Sequence, residues 1–220
     1  MPSRQATATL PPPRKPKVIP AADGAVSSDG RLARGERTRL RLAEALISLL
    51  NDGTPQPTAK AVAARAGVSL RLVFHHFEDI DAIYRAVIAV QAQRYWDHLK
   101  PIAPSLPLAE RAERTARRRG RLYDAVAPVR RTSATLAPQS PDVAEWVATT
   151  NALLRSHITV TFAPELERAG SDRDDLLDAL DVSASWEVWE RLRSGQRLSR
   201  SAAQCVMARL LLDLLAPVAR

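Results

Sequence analysis

The residues best suited to carry chemistry lie in one segment, Ala63-Ala64-Arg65-Ala66-Gly67-Val68-Ser69-Leu70-Arg71-Leu72-Val73. Two helices that cross on a tight turn need small residues where they touch, and Ala63 and Gly67 supply them. Ser69 can cap the second helix, whose first residues would then face the major groove of DNA. Arg71 is the first candidate base reader, because a guanidinium can bind guanine bidentately. The same spacing would also fit an ordinary pair of packed helices.

The composition predicts an all-α fold with a polyanionic partner. Of the 220 residues, 45% are hydrophobic and only 5% aromatic, and the strong helix formers Ala, Leu and Arg dominate. The net charge of +8 favours nucleic acid or an anionic membrane as a partner. A GC-rich genome, which encodes much arginine, would account for the same charge.

No sequence signal points to an enzyme, a metal or a cofactor. Glycine-rich phosphate loops, the H-E-x-x-H pair and the G-x-S-x-G elbow are missing from the sequence. The histidines are not spaced as a metal-binding set; they are His75, His76, His98 and His157. The single cysteine, Cys205, excludes an internal disulfide and is predicted to be a small core residue.

We expect a cytoplasmic protein, because the sequence shows no stretch like a signal peptide. The longest apolar tract, Leu210 to Ala216, is interrupted by Asp213 and is too short to span a bilayer.

Residues 1–33 are predicted to form a disordered, basic, proline-rich arm, since they show no apolar periodicity. A solvated linker is the favoured interpretation, and an arm that contacts DNA is the alternative. Beyond the arm, apolar spacing and Gly or Pro breaks predict helices at about 35–50, 58–66, 69–77, 79–99, 107–127, 128–136, 141–163, 172–194 and 199–216.

The N-terminal pattern resembles one family of bacterial regulators. In order, the chain has Arg37-Thr38-Arg39, Thr58, Val62-Ala63, Ala66-Gly67-Val68-Ser69 and Phe74-His75-His76-Phe77. Over residues 34 to about 95 this order and spacing is similar to the DNA-binding head of the TetR family. The resemblance implies a three-helix helix-turn-helix DNA-binding domain at 34–80 and a helical ligand-binding and dimerisation domain at 81–220.

The resemblance also implies which side chains meet DNA. Leu72, Phe74 and Ile80 depart from the family's common Thr, Tyr and Lys, and Leu72 can contact a thymine methyl group instead. The candidates for contacts with DNA phosphates are Thr58, Lys60 and His76. The candidates for facing the major groove are Ser69, Leu70, Arg71, Leu72 and His75. Arg39 and Phe74 complete the expected set of DNA-binding residues.

Two C-terminal helices, at about 172–194 and 199–216, resemble the helices with which the family forms dimers. The expected interface residues are Val188, Leu192, Met207, Leu211, Leu214 and Leu215. The alternative is that both helices fill the core of a monomer.

The helical C-terminal domain, residues 81–220 and called the body below, contains a run of arginines and a set of larger side chains. The run between Arg111 and Arg121 is predicted to be a solvated face, with a phosphate surface or an acidic-ligand site as the alternative. The candidate ligand pocket consists of Trp96, Tyr123, Trp146, His157, Phe162 and Trp186, although such residues are more often core.

These features predict a sequence-specific DNA-binding transcription regulator. The resemblance to the TetR family implies a ligand-responsive repressor that binds a palindromic operator as a homodimer. The alternative is a helical adaptor that does not bind DNA.

Overall fold

The computed structural model describes residues 29–95 and 100–218, and within these ranges all regular structure is helical, so the predicted all-α fold is confirmed. The helices are α1 (Asp29–Asn51), α2 (Ala59–Ala66), α3 (Leu70–His76), α4 (Ile80–Arg94), α5 (Leu108–Leu136), α6 (Pro141–Thr161), α7 (Ala163–Arg168), α8 (Arg173–Ser183), α9 (Trp186–Glu190) and α10 (Arg200–Leu215). A π-helical turn, Arg191–Gly195, follows α9, and 3-10 turns occupy Gly170–Asp172 and Ala216–Val218.

Two hydrophobic cores organise these helices. The first, in the head, joins α1 to α4 and includes Val129 from α5. The second, in the body, is built from α5 to α10. Helix α5 therefore belongs to both cores, and Val126 in the body core lies one helical turn before Val129.

Helix α1 begins at Asp29, before the predicted start near residue 35. Leu32, Ala33 and Arg34 are strong helix formers, which extends the helix into the segment expected to be disordered. The rest of the predicted arm, residues 1–28, lies outside the described residues.

Helix α5 runs unbroken through Pro128, so the predicted break between 127 and 128 is wrong. A proline inside a helix removes one hydrogen bond, but Val126 and Val129 are buried on either side of it and hold the helix together. Helix α4 ends at Arg94, short of the predicted end near Leu99.

The prediction of one continuous helix over 172–194 is also wrong, because the helix is interrupted between α8 and α9. Ser185 caps α9 by accepting the Val188 N–H, and the Tyr123 hydroxyl donates to the Ala184 carbonyl oxygen (2.9 Å). The unpredicted helix α7 follows Phe162, with Pro164 in its first turn, where a proline is tolerated.

Gly120 allows α5 to approach α9 closely, and Gly120→Ala should lower the free energy of unfolding. A Cβ at this position would lie 2.5 Å from Cη2 of Trp189, whose indole N–H donates to Asp124 Oδ1 (2.9 Å). We expect a loss of about 1–3 kcal/mol in urea unfolding, because overpacking outweighs the gain in helix propensity. Gly195→Ala is the matched control, since its Cβ would meet only the flexible Arg191 side chain. Equal stability of both variants would contradict the prediction.

Candidate nucleic-acid interface

The α2–α3 turn has the geometry that the sequence predicts. The Thr58 hydroxyl accepts the Ala61 N–H (3.2 Å), and the Ser69 hydroxyl accepts the Leu72 N–H (3.2 Å). Gly67 is left-handed, at φ 66° and ψ 39°, which a residue with a Cβ would oppose. A hydroxyl that accepts a capping bond can still donate its own hydrogen, so Thr58 and Ser69 remain able to contact a phosphate.

One face of α3 anchors it to the head. Val73 and the capping residue Phe77 are 1% and 2% exposed, packed in the core that contains Leu42, Leu46 and Val62. This packing holds the helix pair against α1.

The opposite face of α3 is presented to solvent. Leu70 is 41% and Phe74 is 53% exposed, and Arg71 and His75 are exposed beside them. Within residues 29–95 and 100–218, no group pairs with the Arg71 guanidinium. A half-exposed phenylalanine next to an unpaired arginine is unexplained by the packing of the head and suits contact with another molecule.

Arg39 and His76 are used inside the head. The Arg39 guanidinium donates to the His76 carbonyl oxygen (2.7 Å) and lies 4.4 Å from the centre of the Phe77 ring. Burial, together with the nearby His75 and Arg39, lowers the pKa of His76. The lowered pKa disfavours the charged form of His76 and weakens it as a partner for a phosphate.

The remaining DNA candidates lie near this face. Thr58 and Lys60 are exposed where α2 begins, and Leu72 is half-buried on α3. Two further head arginines, which the sequence did not single out, hold α2 in place. Arg41 donates to the Ala66 carbonyl oxygen (2.8 Å), and Arg65 pairs with Asp52 (2.7 Å).

Of the six candidate ligand residues of the body, Tyr123, Phe162 and Trp186 are buried together in the body core. Tyr123 and Trp186 meet edge to face, with ring centres 5.8 Å apart. Trp146 and Trp186 each lie 5.9 Å from the guanidinium of Arg130, a residue that the sequence interpretation missed. Arg130 follows Tyr123 by two helical turns, and that spacing could have placed it on the core face of α5.

Phe162 and His157 are further pocket candidates. Phe162 is fully buried, with its ring 5.7 Å from the Arg111 guanidinium. Burial, together with Arg119 and Arg118, lowers the pKa of His157 to about 4. Trp96 lies outside the described residues. Among the residues that are described, no three His, Cys, Asp or Glu side chains could hold a metal ion.

The arginine run on α5 is not a solvated face throughout. Arg111 and Arg119 are 4% and 5% exposed. Arg111 forms a bidentate pair with the buried Glu165 carboxylate (2.6 and 2.8 Å), and Arg119 donates to the Leu154 carbonyl oxygen (2.6 Å). The predicted solvated face is wrong for these two residues because partners on other helices satisfy them.

Most of the expected dimer residues are buried in the chain's own core. Met207, Leu211 and Leu215 have no exposed surface and Leu192 is 5% exposed, so assigning them to an open face is wrong. Helix α10 is apolar on several sides, and its sequence does not show which side faces inward. Val188 and Leu214 are half-buried.

The apolar residues that do face outward are different ones. Val182 on α8 is 62% exposed, and Val206 and Leu210 on α10 are 37% and 39% exposed. Val206 and Leu210 are one helical turn apart and therefore share a face. Cys205 is also exposed, contrary to the prediction that it is a core residue.

The C-terminal segment Arg200–Val218 is long and apolar enough to cross a membrane by length and composition alone. Its buried residues Ala203, Met207 and Leu211 pack into the body core, but only 28% of the segment is buried.

Two solved structures with a similar fold are structures of transcription regulators. A transcriptional regulator from Rhodococcus sp. Rha1 matches with a TM-score of 0.63 and 18% identity, over 81% of this chain and 96% of that one. A putative TetR-family transcriptional regulator from Rhodococcus sp. matches with a TM-score of 0.64 and 14% identity, over 81% and 99%. This chain has the fold of these regulators. No protein-family model and no curated protein matches the sequence.

Proposed function

We propose that this chain is a sequence-specific DNA-binding transcription regulator, and not an enzyme, that places α3 in the major groove. The observation that carries the proposal is the two-sided character of α3. Val73 is buried on one side, while Arg71, Phe74 and His75 are exposed on the other. A helix held in this way on a helix-turn-helix presents its N-terminal residues to base edges.

Four residues of the head then have distinct tasks. Arg71 reads a base, and Thr58 and Lys60 bind phosphates and set the position of the head on the duplex. Arg39 orients the end of α3 through its bond to the His76 carbonyl oxygen.

The regulator acts as a homodimer that binds a palindromic operator. The exposed apolar residues Val182, Val206 and Leu210 support pairing through α8 and α10. Two heads carried by such a dimer would read half-sites one DNA turn apart, about 34–36 Å. A dimer bound across a promoter excludes other proteins from it, and repression in the cytoplasm is the function that follows.

An effector acts through the body. Helix α5 takes part in both cores, and the Thr132 hydroxyl on α5 donates to the Pro55 carbonyl oxygen in the head (3.1 Å). Arg85 on α4 also pairs with Asp142 on α6. A ligand that shifts α5 would therefore change the position of the head and the affinity for DNA.

Arg71→Ala should weaken specific binding and relax the sequence preference at one position in each half-site. Loss of one bidentate base contact costs about 1–3 kcal/mol of discrimination. The measurement is the ratio of operator affinity to random-duplex affinity, for an operator selected by the wild-type protein. An unchanged ratio would show that Arg71 does not read a base.

Lys60→Ala is the matched control for this experiment. A phosphate contact contributes equally to every sequence, so this variant should lower both affinities and reduce the salt slope by about 1. A helical adaptor would show no salt-dependent binding to random duplex at all.

A further inference from the structure

Three arginines of α5 are buried, and two of them are satisfied. Arg111 donates to Glu165, to the Thr161 carbonyl oxygen (2.9 Å) and to the Leu106 carbonyl oxygen (2.8 Å). Arg119 donates to the Leu154 carbonyl oxygen (2.6 Å). Arg130 is different: its Nη1 is shielded from solvent and has no hydrogen-bond partner within the described part of the chain.

The partners of Arg130 are weak ones. Its Nη2 donates to the amide oxygen of Asn151 (3.2 Å) and lies 3.8 Å from the carboxylate of Glu187. The Glu187 side chain is 68% exposed, so water competes for this contact, whereas Arg130 itself is 5% exposed. A buried, unpaired donor is costly, and a site that keeps one is incomplete without an acceptor.

The surroundings of Arg130 favour an aromatic group with one negative charge. Trp146 and Trp186 lie on the guanidinium, each 5.9 Å from its centre, and Tyr123 packs edge-on against Trp186. The carboxylate nearest the Arg130 guanidinium, that of Glu187, is 3.8 Å away and exposed, so the buried cation is only partly balanced. A carboxylate monoanion would balance it and matches the two parallel N–H groups of a guanidinium.

We propose that Arg130 anchors a small aromatic monocarboxylate, whose ring packs against Trp146 and Trp186. The carboxylate takes the free Nη1 donor and displaces the exposed Glu187 side chain. Arg130 directly follows Val129, a member of the head core, and Thr132 on the same turn bonds to the Pro55 carbonyl oxygen. Through these contacts, carboxylate binding changes the position of the head. The resulting change in DNA affinity rests on the proposed DNA-binding function.

The test measures ligand binding to the free protein, so it does not depend on DNA. Benzoate, phenylacetate and 1-naphthoate, each paired with its primary amide, are titrated by calorimetry and by thermal shift. At least one acid should bind saturably, and its amide at least about tenfold more weakly, the discrimination expected for a lost charged hydrogen bond. Failure of every acid, or equal binding of acid and amide, would overturn the proposal.

Substitutions assign the effect to Arg130. Arg130→Met should abolish the acid-induced shift while leaving the unliganded melting temperature unchanged or higher, because a buried unpaired charge is removed. Arg121→Met, an exposed position on the same helix, should bind as wild type does. Arg130→Lys keeps the charge without the planar fork and should bind the acid at least tenfold more weakly. A large drop in the melting temperature of Arg130→Met, or wild-type affinity in either Arg130 variant, would make Arg130 structural.

DNA affinity with and without the acid separates the two proposals. If the chain is a regulator, bound acid should lower its affinity for the operator. Bound operator should then lower its affinity for the acid by the same factor. Acid binding with no DNA binding under any condition would refute the proposed function and leave the Arg130 site standing.

Discussion

Glu165→Gln should be among the most destabilising substitutions in the chain, lowering the free energy of unfolding by about 3–5 kcal/mol. The Glu165 carboxylate, 2% exposed, accepts both terminal N–H groups of Arg111 and one from Arg168 (2.9 Å). The amide leaves the Arg111 charge buried and uncompensated. Thermal unfolding should show a drop of more than about 6 °C, since 1 kcal/mol corresponds to about 2–4 °C in a chain of this size.

The same carboxylate predicts a pH dependence. Burial by itself raises the pKa of Glu165, but the hydrogen bonds and charge of Arg111, with Arg168, outweigh it and lower the pKa. A lowered pKa means that the stabilisation is complete above the ordinary pKa of a glutamate and is lost as the pH falls through the folded value. The advantage of wild type over Glu165→Gln should therefore be full at pH 7 and shrink in acid.

Removal of both partners provides the control. Arg111→Met with Glu165→Leu should recover much of the loss, because a buried pair can be replaced by apolar side chains at little cost. If the free energy of unfolding of Glu165→Gln alone lies within about 1 kcal/mol of the wild-type value, the Arg111–Glu165 pair does not hold α5 to α7.

The double variant Val182→Glu, Leu210→Glu should be a folded monomer with operator affinity lowered by about 10²–10⁴-fold, the gain expected from linking two binding sites. Val182 and Leu210 are exposed apolar residues, so charges there cost the free chain little. In the dimer the same charges would lie unpaired in an apolar interface. Circular dichroism and sedimentation velocity establish the folded monomer before DNA is added.

The neighbouring position supplies a contrast. Leu211 has no exposed surface in the chain's own core, so Leu211→Glu should unfold the protein rather than separate two folded copies. Sedimentation of the wild type as a monomer at tens of micromolar without DNA would contradict the dimer.

Local features of the fold could be predicted from the sequence. The caps at Thr58 and Ser69 and the left-handed turn at Gly67 are specified by residues within a few positions of one another. The two-sided pattern of α3 is likewise contained in one turn and its flanks. These are the features on which the proposed function depends most.

Features set by distant partners could not be predicted. The break before α9 depends on the bond from Tyr123 to the Ala184 carbonyl oxygen, and the burial of Arg111 depends on Glu165. No pattern within α10 shows whether Leu211 or Leu210 faces inward, because the body core makes that choice. The spacing from Tyr123 could have placed Arg130 on the core face of α5, but its missing acceptor is visible only when α6 and α9 are packed against α5.

The central claim is sequence-specific DNA binding through α3, and selection from a random duplex library tests it most directly. The 220-residue chain should enrich a palindrome with half-sites about 10–10.5 base pairs apart, or a multiple of that spacing. The enriched site should bind at least about 10³-fold more tightly than a scrambled duplex, and Arg71→Ala should reduce that ratio. Recovery of no common sequence, with equal affinity for enriched and scrambled duplexes, would contradict the account.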